Sequence, residues 1–517
     1  MGCGCFSASS WRALAAGVLG RGFGPTGIGL QSLAGIPVPE ELQKRRSYIA
    51  KTEQRGISVA QLKLVSAFSE RVFGLATCID SRSGQVVEWG SASKYNVNDF
   101  ITTPLTEPFG CSTVELVAEA PQQPTWFVSH AWSHGLRETV VILAFHAEAR
   151  EGAEATCYYW ICTFANNQHN LSQLAGALEE TPFFKVITAD SCRGTVAMVC
   201  GSAALFKRVW CLYESYLSLE LTKGRGKPHL YDLGTWCSGL LAPPIEYMPG
   251  AAIQLDLGNG EYKLLPDLFS VGRWDETLHL NAGKPGVAVK PAMSLPPGNH
   301  DLGQAARVRL ILSAYKEKEV QAIDWHMPLP PIFPVHAGLA AFAVNVSTAM
   351  ASRDQDRRAI LHSIASTPPS EWDDEPPLTH EGYDKLNRRI QHRFAELCIM
   401  AAICSGDAAK MQEAMSRFPG ARSQATSYVG VASFNGHVEA LRLLLAAGAD
   451  VKHDPLSPLC LALLRGHTAI VAELLDAGAD PEDQTFVPFI GRTPLDVARL
   501  RGADDECAAL LLRRAVP

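Results

Sequence analysis

Residues 208–217 read RVWCLYESYL and place one acid, Glu214, among apolar neighbours, with Trp210 four positions before it and Cys211 between. On a helix that spacing brings Trp210 and Glu214 to one face. A carboxylate beside an indole is desolvated, which raises its pKa and strengthens its pull on a developing positive charge. Three roles are open for Glu214: a catalytic carboxylate, a structural hydrogen-bond acceptor, or the exposed face of an ordinary helix.

Other residues could do chemistry near it. His130 and His134 are spaced H-x-x-x-H, which on a helix would offer two metal ligands on one face. They follow a strand-like run and lack an acidic third ligand, so no metal site is expected, and His130 reads as a buried hydrogen bonder. Asn167 and His169 end a β-rich run and either line a ligand rim or cap a following helix. A nucleophilic cysteine needs an electropositive setting. Cys211 has only Arg208 nearby in sequence and reads as a core thiol. A formal G-x-G-x-x-G at Gly22–Gly27 has no strand before it and is interrupted by Pro25, so it is not a phosphate loop.

The elements that must position these residues alternate. TWFVSHAW at 125–132 is a short buried strand ending in a polar loop, and residues 136–152 have helical apolar spacing. A second strand follows in CYYWIC at 157–162, and a second helix is expected over 171–180 with Ser172 as its cap. Strand 196–200, the helix holding Glu214, and strand 229–234 complete the run, with 253–255 a candidate fifth strand. Such alternation predicts a parallel α/β sheet with helices on both faces. Ligands bind at the carboxyl ends of such strands. The candidate rim around Glu214 is therefore Ser129, His130, Trp132, Asn167, His169 and Trp210.

The pieces F-V-S-H at 127–130, W-I with N-Q-H at Trp160, Ile161 and 167–169, and W-C-x-x-E at Trp210, Cys211 and Glu214 occur in one order. That order resembles a divergent TIR (Toll/interleukin-receptor) domain. The resemblance implies a flavodoxin-like parallel sheet and one of two activities. One is self-assembly as an adaptor, giving a homo-oligomer. The other is cleavage of the nicotinamide–ribose bond of NAD, with NAD as substrate and no cofactor required. In the second, Glu214 would lie beneath the ribose and stabilise an oxocarbenium-like centre. The chain departs from the pattern after His130, where the first acid is Glu138, and in the basic loop KGRGKPH at 223–229.

The C-terminal region repeats itself. FNGHVEALRLLLAAGAD starts at Phe434 and LRGHTAIVAELLDAGAD at Leu464, so Gly436-His437 and Gly466-His467 are 30 residues apart. A worn copy spans 398–420, with Gly406 a further 30 residues back, and a last copy starts at Gly491 with Thr493-Pro494-Leu495. Ser457-Pro458-Leu459 is a near match to that tripeptide. This resembles the ankyrin repeat over 393–517, about four copies. The Thr/Ser-Pro turn is expected to start the first helix and bond across the turn. Ala432, Ala462 and Ala498 should allow close packing, and a glycine should cap the second helix in the left-handed conformation. The resemblance implies an all-α solenoid that binds a protein partner.

Length and composition frame these pieces. The chain has 517 residues, 47% hydrophobic and 19% charged, which is globular and argues for several domains. A net charge of −7 supplies no basic footprint for nucleic acid. Fourteen scattered cysteines without any C-x-x-C argue for free thiols in a reducing compartment. No run of eighteen apolar residues predicts a membrane span, and 333–351 reads as a buried helix. Residues 1–39 carry no acid before Glu40, which fits a disordered leader or an organelle transit peptide. A membrane anchor would need acylation at Gly2, Cys3 or Cys5, although Phe6 stands where myristoylation favours Ser or Thr. A cytoplasmic protein is the first expectation, an organellar or membrane-anchored one the alternative. The remaining divisions are an α-rich lead-in at 40–120, the TIR-like domain at 121–250, a mixed extension at 251–366 and an acidic, Pro-rich linker at 367–392.

Overall fold

The computed structural model describes residues 32–151, 157–174, 176–199, 203–221, 226–237, 250–258, 262–266, 340–417, 425–451 and 457–482, with short stretches at 278–279, 288–289, 493–495, 498 and 505–515. The chain divides into two compact units. An α/β unit comprises Met1–Trp236, Ile253–Leu264 and Val344–Arg388, and a repeat unit comprises Cys237–Ala252, Leu265–Ala343 and Arg389–Pro517.

The α/β unit starts with a small hairpin, β1 (Ser32–Leu33) and β2 (Ile36–Pro37). Its turn residues Ala34 and Gly35 both have positive φ, as a tight two-residue hairpin turn requires. The expected leader at 1–39 therefore ends in folded structure. Strand β3 (Ile57–Ser58) runs straight into helix α1 (Val59–Leu75). Ser58 and Gln61 form a reciprocal cap there, each side chain accepting from the other's backbone N–H at 3.2 and 2.9 Å. Short helices α2 (Lys94–Val97) and α3 (Thr113–Val117) follow, each opened by a serine cap.

The sheet comprises β3, β4 (Trp126–Ser129), β5 (Tyr158–Trp160), β6 (Gly194–Met198), β7 (Leu230–Cys237), β8 (Gly250–Asp256) and β9 (Tyr262–Pro266), in the order β3-β5-β4-β6-β7-β8-β9. The pairs β4/β5, β4/β6 and β6/β7 are parallel, as alternation predicts. The edge is not: β3 from the lead-in pairs antiparallel to β5, so the lead-in is part of the sheet rather than a separate domain. Strands β5, β4, β6 and β7 stand in the order 2-1-3-4, as in doubly wound sheets, while the end of β8 lies against the start of β7, where Asp256 N donates to Asp232 and Tyr231 N to Asp256. The chain reverses its direction of winding between β4 and β6, and ligands bind at such a reversal.

Helix α4 (Leu136–Glu151) follows β4, α5 (Cys162–Ala165) follows β5, and α6 (Pro182–Thr188) precedes β6. The helix expected over 171–180 is instead two 3-10 turns, Ser172–Leu174 and Leu178–Glu180. Ser172 does not cap an α-helix. The α-helix waits for Thr181, whose hydroxyl accepts from Phe184 N, with Pro182 supplying the first-turn φ. After β6 comes α7 (Val209–Tyr216), which continues as a π turn at Leu217–Leu221.

The core rings interlock. Phe127 stacks on Trp160 at 5.3 Å, Trp160 meets Phe183 at 5.3 Å, and Phe183 meets Trp210 at 5.2 Å. Each fully buried ring stabilises by roughly 3 kcal/mol. Gly194 is required by this packing. A β-carbon there would lie 2.4 Å from the Leu230 carbonyl oxygen and 2.6 Å from the Trp126 ring.

The expected linker at 367–392 is folded. Helix α8 (Asp354–Ala365) is tied to it by His362, which bonds the Thr367 hydroxyl at 2.7 Å and the Asp374 carbonyl at 3.1 Å, and Trp372 donates to Thr367 O. From Glu381 onward the segment belongs to helix α9 (Glu381–Ser405). Proline and acid content alone did not separate a linker from a tied-down loop. Apolar spacing also predicts a helix over 306–320, ahead of the one at 333–351, and the first lies outside the described residues. The second is described only from 340, where it ends after 342.

The repeat unit stacks helix pairs, α11 (Ala425–Asn435) with α12 (Val438–Ala446) and α13 (Pro458–Arg465) with α14 (Thr468–Asp476), with α10 (Ala408–Arg417) packed on α12 and α15 (Glu506–Ala515) on α14. Ala432, Ala462 and Ala498 are fully buried where helices meet. Leu444 and Leu474 are also fully buried, while Leu445 and Leu475 are half-buried.

Candidate functional site

Glu214 lies on the inner face of α7 and is 5% exposed. Its carboxylate accepts a hydrogen bond from the hydroxyl of Ser129, the last residue of β4. This places it at the carboxyl end of β4, beside the reversal between β4 and β6. Burial pushes its pKa up to about 8, against the opposing pull of the Ser129 hydroxyl and the Arg208 charge. At neutral pH the group is mostly protonated.

His130 follows at once. Its Nδ1 faces the Val128 carbonyl at 3.2 Å, and a carbonyl only accepts, so Nδ1 carries the proton. Nε2 then accepts, with the Thr163 hydroxyl at 3.3 Å and the Cys162 sulfur at 3.7 Å. Burial and the nearby Lys94 charge hold the imidazole well below its ordinary pKa, so it is neutral. Trp132 donates its indole N–H to Cys162 Sγ at 3.3 Å. Burial and the Glu214 carboxylate push the Cys162 thiol up to about 11, which leaves it a thiol at neutral pH.

Ser129, His130, Trp132 and Glu214 thus gather as expected, joined by Cys162, which the motifs did not single out. Three other candidates stand elsewhere. Trp210 donates to Asp356 on α8 at 3.2 Å and packs on Phe183 and Tyr213. Four residues advance a helix 40° past a full turn, enough here to turn the indole to α8 and the carboxylate to β4. His169 Nε2 meets the Thr106 hydroxyl at 2.8 Å, and Asn167 donates to Gly110 O at 2.7 Å. The N-Q-H segment therefore ties the lead-in to the chain after β5 and does not line the Glu214 site.

The sequence also missed Lys94, Tyr95 and Arg208. Lys94 is fully buried, and its ammonium donates to Thr139 Oγ1 at 2.5 Å and to the carbonyls of His134 and Gly135. Arg208 donates to the Tyr95 hydroxyl at 3.2 Å. No local pattern marks these contacts, because each joins residues far apart in the chain.

A second buried polar cluster sits at the start of β7. Asp232 accepts from His146 Nε2 at 2.8 Å and from Arg150 Nε at 2.9 Å, while His146 Nδ1 meets the Tyr159 hydroxyl at 2.8 Å. Burial would raise the Asp232 pKa, but the bonds from His146 and Arg150 outweigh it and hold the carboxyl below its ordinary range. Asp232 Oδ1 also accepts from Asp256 N at 2.7 Å, so the cluster ties α4, β5, β7 and β8 together. Its groups satisfy one another, which marks a brace.

In the repeat unit the Gly-His pairs explain themselves. Gly406, Gly436 and Gly466 all have positive φ. The His437 ring covers Gly406, and the His467 ring covers Gly436, where a β-carbon would lie 2.6 Å from the ring. His467 Nε2 donates to Phe434 O at 3.0 Å, linking one repeat to the one before. Gly448 and Gly478 take positive φ just after α12 and α14, as expected of left-handed caps. Pro494 and Leu495 are helical and buried, and Leu495 N donates to Pro481 O. Ser457 before Pro458 makes no side-chain cap, against expectation.

Among the described residues, no helix is long and apolar enough to cross a membrane, and no three His, Cys, Asp or Glu side chains gather as metal ligands. A family model of ankyrin repeats (3 copies) matches residues 429–516. The fourth, worn copy precedes the match, yet its Gly406 lies under His437 as Gly436 lies under His467. No curated protein matches the chain. Ankyrin repeats serve protein–protein interaction.

Proposed function

We propose that the chain is an interaction protein in which the repeat unit holds a protein partner and the α/β unit is a TIR-like assembly module. The ankyrin match at residues 429–516, continued upstream by the Gly406–His437 contact, carries the first half. The parallel core, with its reversal between β4 and β6, supports the second. Crosslinking of the full chain in its native cell extract tests the first half: the same partner band should form with the wild-type chain and vanish when a repeat is broken by Gly436→Leu. Sedimentation of the purified chain across concentrations tests assembly, which requires a self-associated species.

One observation favours a second reading, NAD glycohydrolysis. Glu214 is a buried carboxylate at the carboxyl end of β4, where a doubly wound sheet holds its ligand. In its ionised form it would stabilise the positive charge that develops at the ribose as nicotinamide departs. Ser129 would orient it. Because the pKa of Glu214 lies near 8, ionisation and turnover should rise together as pH passes through that value. Nicotinamide release from NAD by the full chain, beside Glu214→Gln, tests this. Release that the variant abolishes supports it, and release that the variant leaves intact removes Glu214 from the chemistry.

A further inference from the structure

The groups that close the Glu214 site come from the lead-in. Ser93 bridges Gly135, and Lys94 N donates to His134 O at 3.1 Å. The buried Lys94 ammonium holds the same loop from below, through His134 O, Gly135 O and Thr139 Oγ1. These contacts pin the segment across the loop that follows β4.

Tyr95 is placed by that pinning. Its ring lies between the Trp132 indole, at 5.3 Å, and the Arg82 guanidinium, at 4.7 Å. Its hydroxyl accepts from Arg208, whose charge also acts on Glu214 and His130. Tyr95 therefore gives an aromatic face to an indole and a polar oxygen to a guanidinium. A ligand with an aromatic ring and an anionic substituent would present the same two features. A phosphate would bind the guanidinium more strongly than a neutral phenol does, because its hydrogen bonds are charge-assisted.

We propose that Tyr95 is an internal occupant of the Glu214 site, and that a phosphate-bearing nucleotide enters by taking Trp132 and Arg208 from it, so the lead-in holds the resting chain closed. That the ligand is a nucleotide rests on the glycohydrolase reading; the cover rests on the Tyr95 contacts with Trp132 and Arg208 and on the Lys94 bonds.

Cys162 reports on the cover. Among the described free cysteines it is the one that is not buried, and its sulfur accepts from the N–H edge of the indole that Tyr95 packs against. The full-length chain is treated with iodoacetamide, and alkylation at Cys162 is followed by mass spectrometry, with buried Cys192 as reference. Tyr95→Ala should speed Cys162 alkylation by roughly tenfold without changing Cys192. Tyr95→Phe keeps the ring and loses the Arg208 bond, and should give roughly threefold. An unchanged Cys162 rate in Tyr95→Ala overturns the proposal. If Cys192 also speeds up, the variant has loosened globally and Tyr95→Phe decides: a rise confined to Cys162 supports the cover, and no rise overturns it. Nicotinamide release is read in the same samples. Faster alkylation without release keeps the cover and removes the glycohydrolase reading.

Discussion

In the repeat unit, His467 reaches back 33 positions to bond Phe434, and His437 covers Gly406 in the same way. In the α/β unit, Ser129 and Glu214 are 85 positions apart and Tyr95 and Arg208 are 113 apart. The first unit is built from one contact written again and again, each between neighbours. The second is built from single contacts that only the complete sheet brings together. A quasi-linear stack loses stability roughly interface by interface. A sheet unit whose brace and site bridge four or more elements should lose it as a whole. That contrast also separates the two proposed roles: recognition can be spread over a surface, whereas the Glu214 site depends on a few residues held in register.

The contrast can be broken first at the brace. Asp232→Asn leaves buried His146 and part-buried Arg150 without a carboxylate and should cost about 3–5 kcal/mol, read by urea unfolding. Its pH dependence follows from a carboxyl held below its ordinary range. The stability it contributes is fully present above the unfolded value, about 3.9, and is lost as pH falls through the folded value.

Gly436→Leu comes next. It forces a side chain into positive φ and into the His467 ring, for about 3 kcal/mol, and should melt the repeats while leaving the α/β transition in place. Gly478→Ala shares the positive φ but has open space around it, so it should cost only about 1 kcal/mol.

Glu214→Gln acts in the other direction. A buried carboxyl with a raised pKa binds its proton more tightly when folded, so stability falls as pH rises from the unfolded value, about 4.3, to about 8. The variant should match the wild type near pH 4 and exceed it by roughly 5 kcal/mol at pH 9, read as Tm against pH. The smallest effect is expected at Arg442, whose exposed pair with Glu473 links neighbouring repeats and whose pair with Glu439 lies within α12. Arg442→Ala should leave Tm nearly unchanged, and at high salt indistinguishable from wild type.

The same contrast explains what could be read in advance. Repeat spacing, the packed alanines and the left-handed glycine caps are local features, and all were legible. So were the strand–helix alternation and the meeting of Ser129, His130, Trp132 and Glu214, because consecutive residues at a strand end share a rim. Trp210 turned to Asp356, and His169 to Thr106, because a helix or loop offers several faces and only its distant neighbours choose among them. The folded 367–392 segment went unread for a related reason. Its order comes from His362 and Trp372 contacts, not from composition. Tyr95 carried no local mark at all.

The division of labour is tested most directly by partner crosslinking in native extract with three full-length chains: wild type, Gly436→Leu and Glu214→Gln. One partner band should form with wild type and Glu214→Gln, and it should be lost with Gly436→Leu while the α/β unit still unfolds at its normal urea concentration. A band that survives Gly436→Leu, or one that disappears with Glu214→Gln, would contradict that division.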